Sequence, residues 1–137
     1  MKLDLAAIIT AGHDLTFFCH TQAKENGWWT NLVTGEDLTS AGYPLVTPTR
    51  NVGELLCLVH SEISEGMEGH RKGLMDDKLP HRSMLEVELA DAVIRVFDMS
   101  GGLGLDVAGA IAEKLAFNAQ RSDHKIENRQ AVGGKKF

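Results

Sequence analysis

An all-α fold is what this sequence predicts, and three observations carry it. Apolar residues recur at a 3.6-residue period in four segments, at about 3–26, 48–68, 82–99 and 105–120. Helix-ending or helix-starting residues separate them: Gly27, Thr47-Pro48, the polar stretch with Gly69, Gly73 and Pro80, and Ser100-Gly101-Gly102. Finally, the paired glycines lack both the GxGxxG or P-loop pattern and the preceding strand that a nucleotide-binding α/β unit requires. At 137 residues and 43% hydrophobic composition the chain suits one domain with its own core. Within it, 1–48 reads as an N-terminal helix with a tryptophan-containing connector, 49–121 as a helical core and 122–137 as a basic tail. Four such helices can bury their apolar stripes as a bundle. The polar stripes and the exposed-looking apolar residues of the first helix predict that a second subunit completes it.

Leu5, Ile8, Ile9, Phe17 and Ala23 give the first helix its apolar side, with Gly12 a weak point and Gly27 its end. His13 and His20 are seven residues apart on it, and no further zinc ligands accompany them, which predicts a surface or interface role. Trp28 and Trp29 follow. Adjacent side chains in an extended segment point to opposite sides, so either both are packing residues, or one is a core or interface anchor and the other is available to cover a pocket. The alternative is a platform for a flat ring such as a nucleobase, whose stacking is worth roughly 1–3 kcal/mol.

The stretch 43–48 suits a short extended piece, and Thr47-Pro48 suits the entry to the second helix. That helix keeps its apolar period despite Gly53 and Gly66. His60 sits about 200° around it from Glu62, which rules out a shared metal. The third helix starts near His81 or Ser83. Along it Glu88, Asp91, Arg95 and Asp98 form a polar stripe, in which Arg95 can balance Asp91 and Asp98. On the fourth helix Val107, Ala108, Ile111, Ala112 and Leu115 form the packing side, and Lys114, Asn118 and Arg121 share a polar face. Residues 123–137 show little apolar period and read as a tail ordered by a ligand or a neighbouring subunit.

Net charge is −5, which argues against general polyanion binding. Its distribution is uneven: ten acids face five bases between Glu54 and Asp98, while six bases face two acids from Lys114 onward. Cys19 and Cys57 fall outside any CxxC pattern and in apolar contexts, which predicts buried free thiols in a reducing compartment. No apolar run approaches 18 residues and the N-terminus lacks a signal-peptide pattern, so a cytoplasmic protein without a membrane span is expected.

The chemistry concentrates in two acidic pairs, Glu62-Ile-Ser-Glu65 and Glu88-Leu-Ala-Asp91. Spacing of i,i+3 sends both carboxylates of a pair off one side of their helix. Apolar neighbours surround each pair, and a carboxylate beside a buried stripe is unfavourable unless compensated. Four of them between two helices repel one another unless protonated or neutralised, and a hard divalent cation suits oxygen ligands. The structural alternative is that both pairs are solvated faces of ordinary amphipathic helices.

The ordered pairs, 22 residues apart, resemble the ExxE…ExxD signature of MazG-like nucleoside triphosphate pyrophosphohydrolases, in the all-alpha NTP pyrophosphatase superfamily. Asp77-Lys78-Leu79-Pro80-His81, Glu86 through Asp98, and Lys114-Leu-Ala-Phe-Asn118 with Arg121 resemble the connector, third helix and late basic segment of short single-domain members of bacterial or phage type. The resemblance covers roughly residues 51–121. It implies that Glu62, Glu65, Glu88 and Asp91 are catalytic and hold Mg²⁺, with Mn²⁺ a possible substitute. Lys114, Asn118, Arg121 and, less directly, Arg95 would contact phosphates, and the protein would be a homodimer or homotetramer. Many relatives carry an additional acid just before a signature glutamate, where this chain has Ser61 and Ser64. The implied reaction splits a nucleoside triphosphate into monophosphate and pyrophosphate, with Lys114 and Arg121 stabilising the leaving group. Which of Glu62, Glu65 and Glu88 activates water stays open.

Two rival readings stand beside this one. The first is a pyrophosphohydrolase acting on another diphosphate-containing metabolite. The second is a non-enzymatic helical interaction protein whose acidic helices meet a basic partner. Nucleic-acid binding is not expected, since helix-turn-helix, zinc and aromatic-basic patterns are missing.

Overall fold

A computed structural model of the chain describes residues 3–40, 42 and 50–136. Among them are five α-helices, α1 (Leu5–Glu25), α2 (Val52–Lys72), α3 (Met84–Gly102), α4 (Val107–Gln120) and α5 (Ile126–Gln130), with a 3-10 turn at Ser122–His124. The fold is therefore all-α. The chain divides into two compact units, Asp14–Leu105, and Met1–His13 with Asp106–Phe137.

In the larger unit, Asn51 starts α2 by accepting from the N–H groups of Gly53 and Glu54, a cap worth about 1 kcal/mol. The entry expected at Thr47-Pro48 and the extended piece at 43–48 lie outside the described residues. α2 continues a turn past Glu68, through Gly69, and stops where Gly73 takes a left-handed conformation at φ 64°. Ser83 caps α3, its hydroxyl accepting from Glu86 N at 3.2 Å.

α2 and α3 run antiparallel, with Gly69 against Met84, Gly66 against Glu88 and Glu62 against Arg95. A Cβ on Gly69 would lie 2.8 Å from the Met84 side chain, and one on Gly66 would lie 3.3 Å from Glu88 Cβ. These two glycines let the helix axes approach beside the acidic residues. Their low helix propensity is thus offset by packing.

Gly101 and Gly102 do not break the chain, contrary to the sequence expectation. They form the last turn of α3, and the reversal comes at Gly104, at φ 63°. Their missing side chains make room for His20 and Trp29: a Cβ would fall 2.5 Å from His20 Cβ at Gly101, and 2.1 Å from the Trp29 ring at Gly102. The core forms there, from Trp29, Leu55 and Leu103, flanked by Ala23, Val52, Met99 and Leu105. Much apolar surface stays outside it. Leu56, Ile63 and Met67 lie exposed on one face of α2, Leu89 and Val93 on α3, and Phe17 and Phe18 on α1. Cys57 is exposed as well, and Cys19 is half-buried, which corrects the expectation of two buried thiols.

In the smaller unit, Asp106 caps α4 by accepting from Gly109 N at 2.8 Å. Only Ala108 and Ala112 of its expected packing side are buried, while Ile111 and Leu115 are exposed. The expected tail carries structure of its own, the 3-10 turn and α5, fastened by Asn128 Nδ2 donating to Ser122 O at 2.7 Å. Among the described residues no helix is long and apolar enough to cross a membrane.

Candidate metal centre

Glu62 and Glu65 leave α2, and Glu88 leaves α3, toward a common point. One carboxylate oxygen from each lies within 4.8 Å of the other two, with Glu62 and Glu88 buried and Glu65 open to solvent. Three hard oxygen donors at that spacing can hold a divalent cation of the Mg²⁺, Mn²⁺ or Ca²⁺ kind, and such a centre is compatible with metal-dependent hydrolysis in general.

The electrostatics agree with that fit. Burial acts first on Glu88, followed by a hydrogen bond with Glu62 and the charges of Glu65, Glu62 and Asp91. Together they push its carboxyl up from an ordinary 4.5 to about 7. The cluster resists carrying its full negative charge, so it favours a proton or a cation.

Asp91, the fourth acid expected in the set, is not part of that trio. The i,i+3 spacing gives it the same side of α3 as Glu88, where its charge acts on Glu88 and its side chain lines a cavity. Arg95 does not balance Asp91 or Asp98. Its Nε donates to Glu62 Oε1 at 2.6 Å, across the helix pair. Ser61 and Ser64 bond back to the carbonyls of Leu58 and His60 on their own helix, which occupies their hydroxyls.

Asp91 and Arg95 open onto a cavity of about 410 Å³. Cys19, Leu58 and Ile94 give it apolar wall, and Trp28, Arg50 and Asp98 also line it. Burial, then the Asp98 charge, push the Cys19 thiol above its ordinary value, so that wall stays uncharged. The tryptophans divide the two roles. Trp29 has no exposed surface and Trp28 is 64% exposed. A fully buried ring cannot stack on a ligand, so the stacking reading is corrected for Trp29, which is the core anchor. Trp29 Nε1 donates to Asp98 Oδ1 at 2.7 Å, and His20 Nδ1 donates to the same oxygen at 3.0 Å. His20 also meets Trp29 edge-on, with ring centroids 5.4 Å apart. The Arg50 guanidinium sits 5.4 Å from the Trp29 ring centroid. This network escaped the sequence reading because its partners are 69 and 78 residues apart.

The residues expected to hold phosphate, Lys114, Asn118 and Arg121, belong to the smaller unit. Lys114 Nζ lies 5.1 Å from the Phe117 ring centroid. Arg121 places its fork on Asp123, at 3.0 and 2.6 Å. Asn118 Oδ1 is buried without a partner among the described residues. That atom is an acceptor, so a phosphate would have to use the amide nitrogen. His13 meets Asp106 at 3.6 Å, both exposed, in keeping with a surface role.

Comparison with family models, with curated proteins and with solved structures finds no match to this chain.

Proposed function

We propose that this chain is a MazG-like nucleoside triphosphate pyrophosphohydrolase, dependent on Mg²⁺ with Mn²⁺ as a possible substitute. The observation that carries the reading is the approach of Glu62, Glu65 and Glu88 to within 4.8 Å of one another, next to a cavity large enough for a nucleoside. An anionic triphosphate has no affinity for bare carboxylates, so an acidic site of this kind requires a cation between the two. Glu62, Glu65 and Glu88 would hold that cation, and Asp91 borders it from the cavity side. A divalent cation in such a site supplies charge neutralisation and Lewis acidity toward a phosphate.

The chain's own groups have separable parts in the proposed reaction. Glu65, the solvent-open member of the trio, can orient the attacking water. Attack at the α-phosphorus expels pyrophosphate. Arg95, already tied to Glu62, is a cation of this unit that lines the cavity and can meet phosphate oxygens. Lys114, Asn118 and Arg121 keep the phosphate role the resemblance implies for them, and Trp28 offers a ring face to the base. The exposed apolar residues of α2 and α3 support assembly as a homodimer or homotetramer.

The test is ³¹P NMR of triphosphates incubated with the protein and Mg²⁺. The reading expects monophosphate and pyrophosphate in equal amounts. Orthophosphate with diphosphate, or an unchanged triphosphate, would count against it.

A further inference from the structure

Asp98 has a feature that the proposed hydrolysis does not use. Its Oδ1 accepts from both Trp29 Nε1 and His20 Nδ1, and two donors saturate the lone pairs of one carboxylate oxygen. Among the described residues no group donates to Oδ2. The side chain is 16% exposed and lines the cavity. Trp29 is fixed by complete burial and by Gly102 beneath its ring, so the carboxylate cannot turn away without losing two hydrogen bonds. The result is a fixed acceptor oxygen in a wall that also carries Gln22, Asn26, Arg50, Asp91 and Arg95.

Its position along α3 gives the acceptor a meaning. Asp91, Arg95 and Asp98 share the cavity-facing side of that helix, and seven residues at 1.5 Å each place Asp98 about 10 Å along the axis from Asp91. The Asp91 end borders the carboxylate trio through Glu88 and the Arg95–Glu62 bond. A ligand with its phosphate end at the trio would bring the far edge of its ring to Asp98, past Trp28.

We propose that Asp98 is the specificity-determining residue of this cavity and selects rings that present an exocyclic amino group. This rests on the phosphate end of the ligand binding at the trio, as in the proposed hydrolysis. An amino group donates to Oδ2. A carbonyl at the same ring position sets two acceptors face to face and leaves the half-buried carboxylate oxygen without a partner. With one free oxygen, Asp98 suits a single amino group better than the paired N–H edge of guanine. Cytosine and adenine share that amino chemistry. His20 and Trp29 act as positioning residues.

The test uses two pairs of ligands that differ by amino against carbonyl, CMP with UMP and AMP with IMP. Affinities are read from Trp28 fluorescence in Mg²⁺ buffer, and kcat/KM is read in parallel for CTP, ATP and UTP. The amino member of at least one pair should bind about tenfold or more tightly than its carbonyl partner, and the pair that does so identifies the ring. Asp98→Asn keeps an oxygen for His20 and Trp29 while presenting an amide N–H to the cavity, so it should erase or reverse the ratio. Affinities equal within each pair, no binding of any of the four, or an Asp98→Asn protein that keeps the wild-type ratio would overturn the assignment. The wild-type ratios decide the matter even where Asp98→Asn fails to fold. Monophosphate binding needs no hydrolysis, so discrimination without pyrophosphate release would sink the hydrolase reading alone. Equal kcat/KM for CTP, ATP and UTP, together with equal affinities, would sink only the role of Asp98.

Discussion

Replacing Glu88 with glutamine should make the metal-free protein more stable while destroying its hold on a divalent cation. The Glu88 carboxyl sits at about 7 rather than 4.5, so the folded state retains a proton that the unfolded chain has already released. Stability therefore falls as pH rises from about 4.5 to about 7, and is flat in this respect above that. At about 1.4 kcal/mol per pH unit the full penalty is near 3 kcal/mol. Solvent reaching Glu65 screens the cluster, so about 2 kcal/mol is the working figure. Glutamine resembles the protonated acid and carries no such penalty. In chelator at pH 8 Glu88→Gln should melt about 8 °C above wild type, with the gap closing toward pH 4.5. Saturating Mg²⁺ should raise the wild-type melting temperature at pH 8 and leave the variant unmoved. Differential scanning calorimetry at both pH values measures all of this. A variant no more stable than wild type at pH 8, or a gap that persists at pH 4.5, would refute the account of the cluster.

The other predictions concern single contacts. Glu65→Gln should lose about 10² or more in Mg²⁺-dependent turnover with an unchanged circular dichroism spectrum. Asp91→Asn should lose less, because Asp91 stands outside the trio; a pyrophosphate-release assay ranks the two. Trp29→Ala should cost about 3–5 kcal/mol in urea denaturation, since it empties a fully buried site and frees Asp98; a loss under 1 kcal/mol would contradict the core assignment. Gly102→Ala should cost about 1–3 kcal/mol in the same assay by driving a methyl into the Trp29 ring.

The helices and the acidic pairs were legible because both are local signals. Apolar period placed α1, α3 and α4 within a few residues of Leu5–Glu25, Met84–Gly102 and Val107–Gln120, and i,i+3 spacing identified Glu62, Glu65 and Glu88. What the sequence could not show depends on partners far along the chain. Gly101 and Gly102 looked like a break by propensity, yet they stay helical because His20 and Trp29 need a surface without side chains. Arg95 had acids one turn away on its own helix and bonded instead to Glu62 on the neighbouring one. Spacing put Asp91 on the same side as Glu88, but it could not say which of the two reaches the common point. The tryptophan pair was read as two packing residues or as one anchor and one free ring, and only packing decides that Trp29 is the anchor.

The central claim is that Glu62, Glu65 and Glu88 hold one divalent cation together. Electron paramagnetic resonance of Mn²⁺ titrated into the protein at pH 8 tests it most directly. The account predicts loss of the free hexaaqua signal with one saturable site per chain, abolished in Glu88→Gln and competed by Mg²⁺. A free-ion signal that wild-type protein leaves undiminished at millimolar concentrations would contradict it.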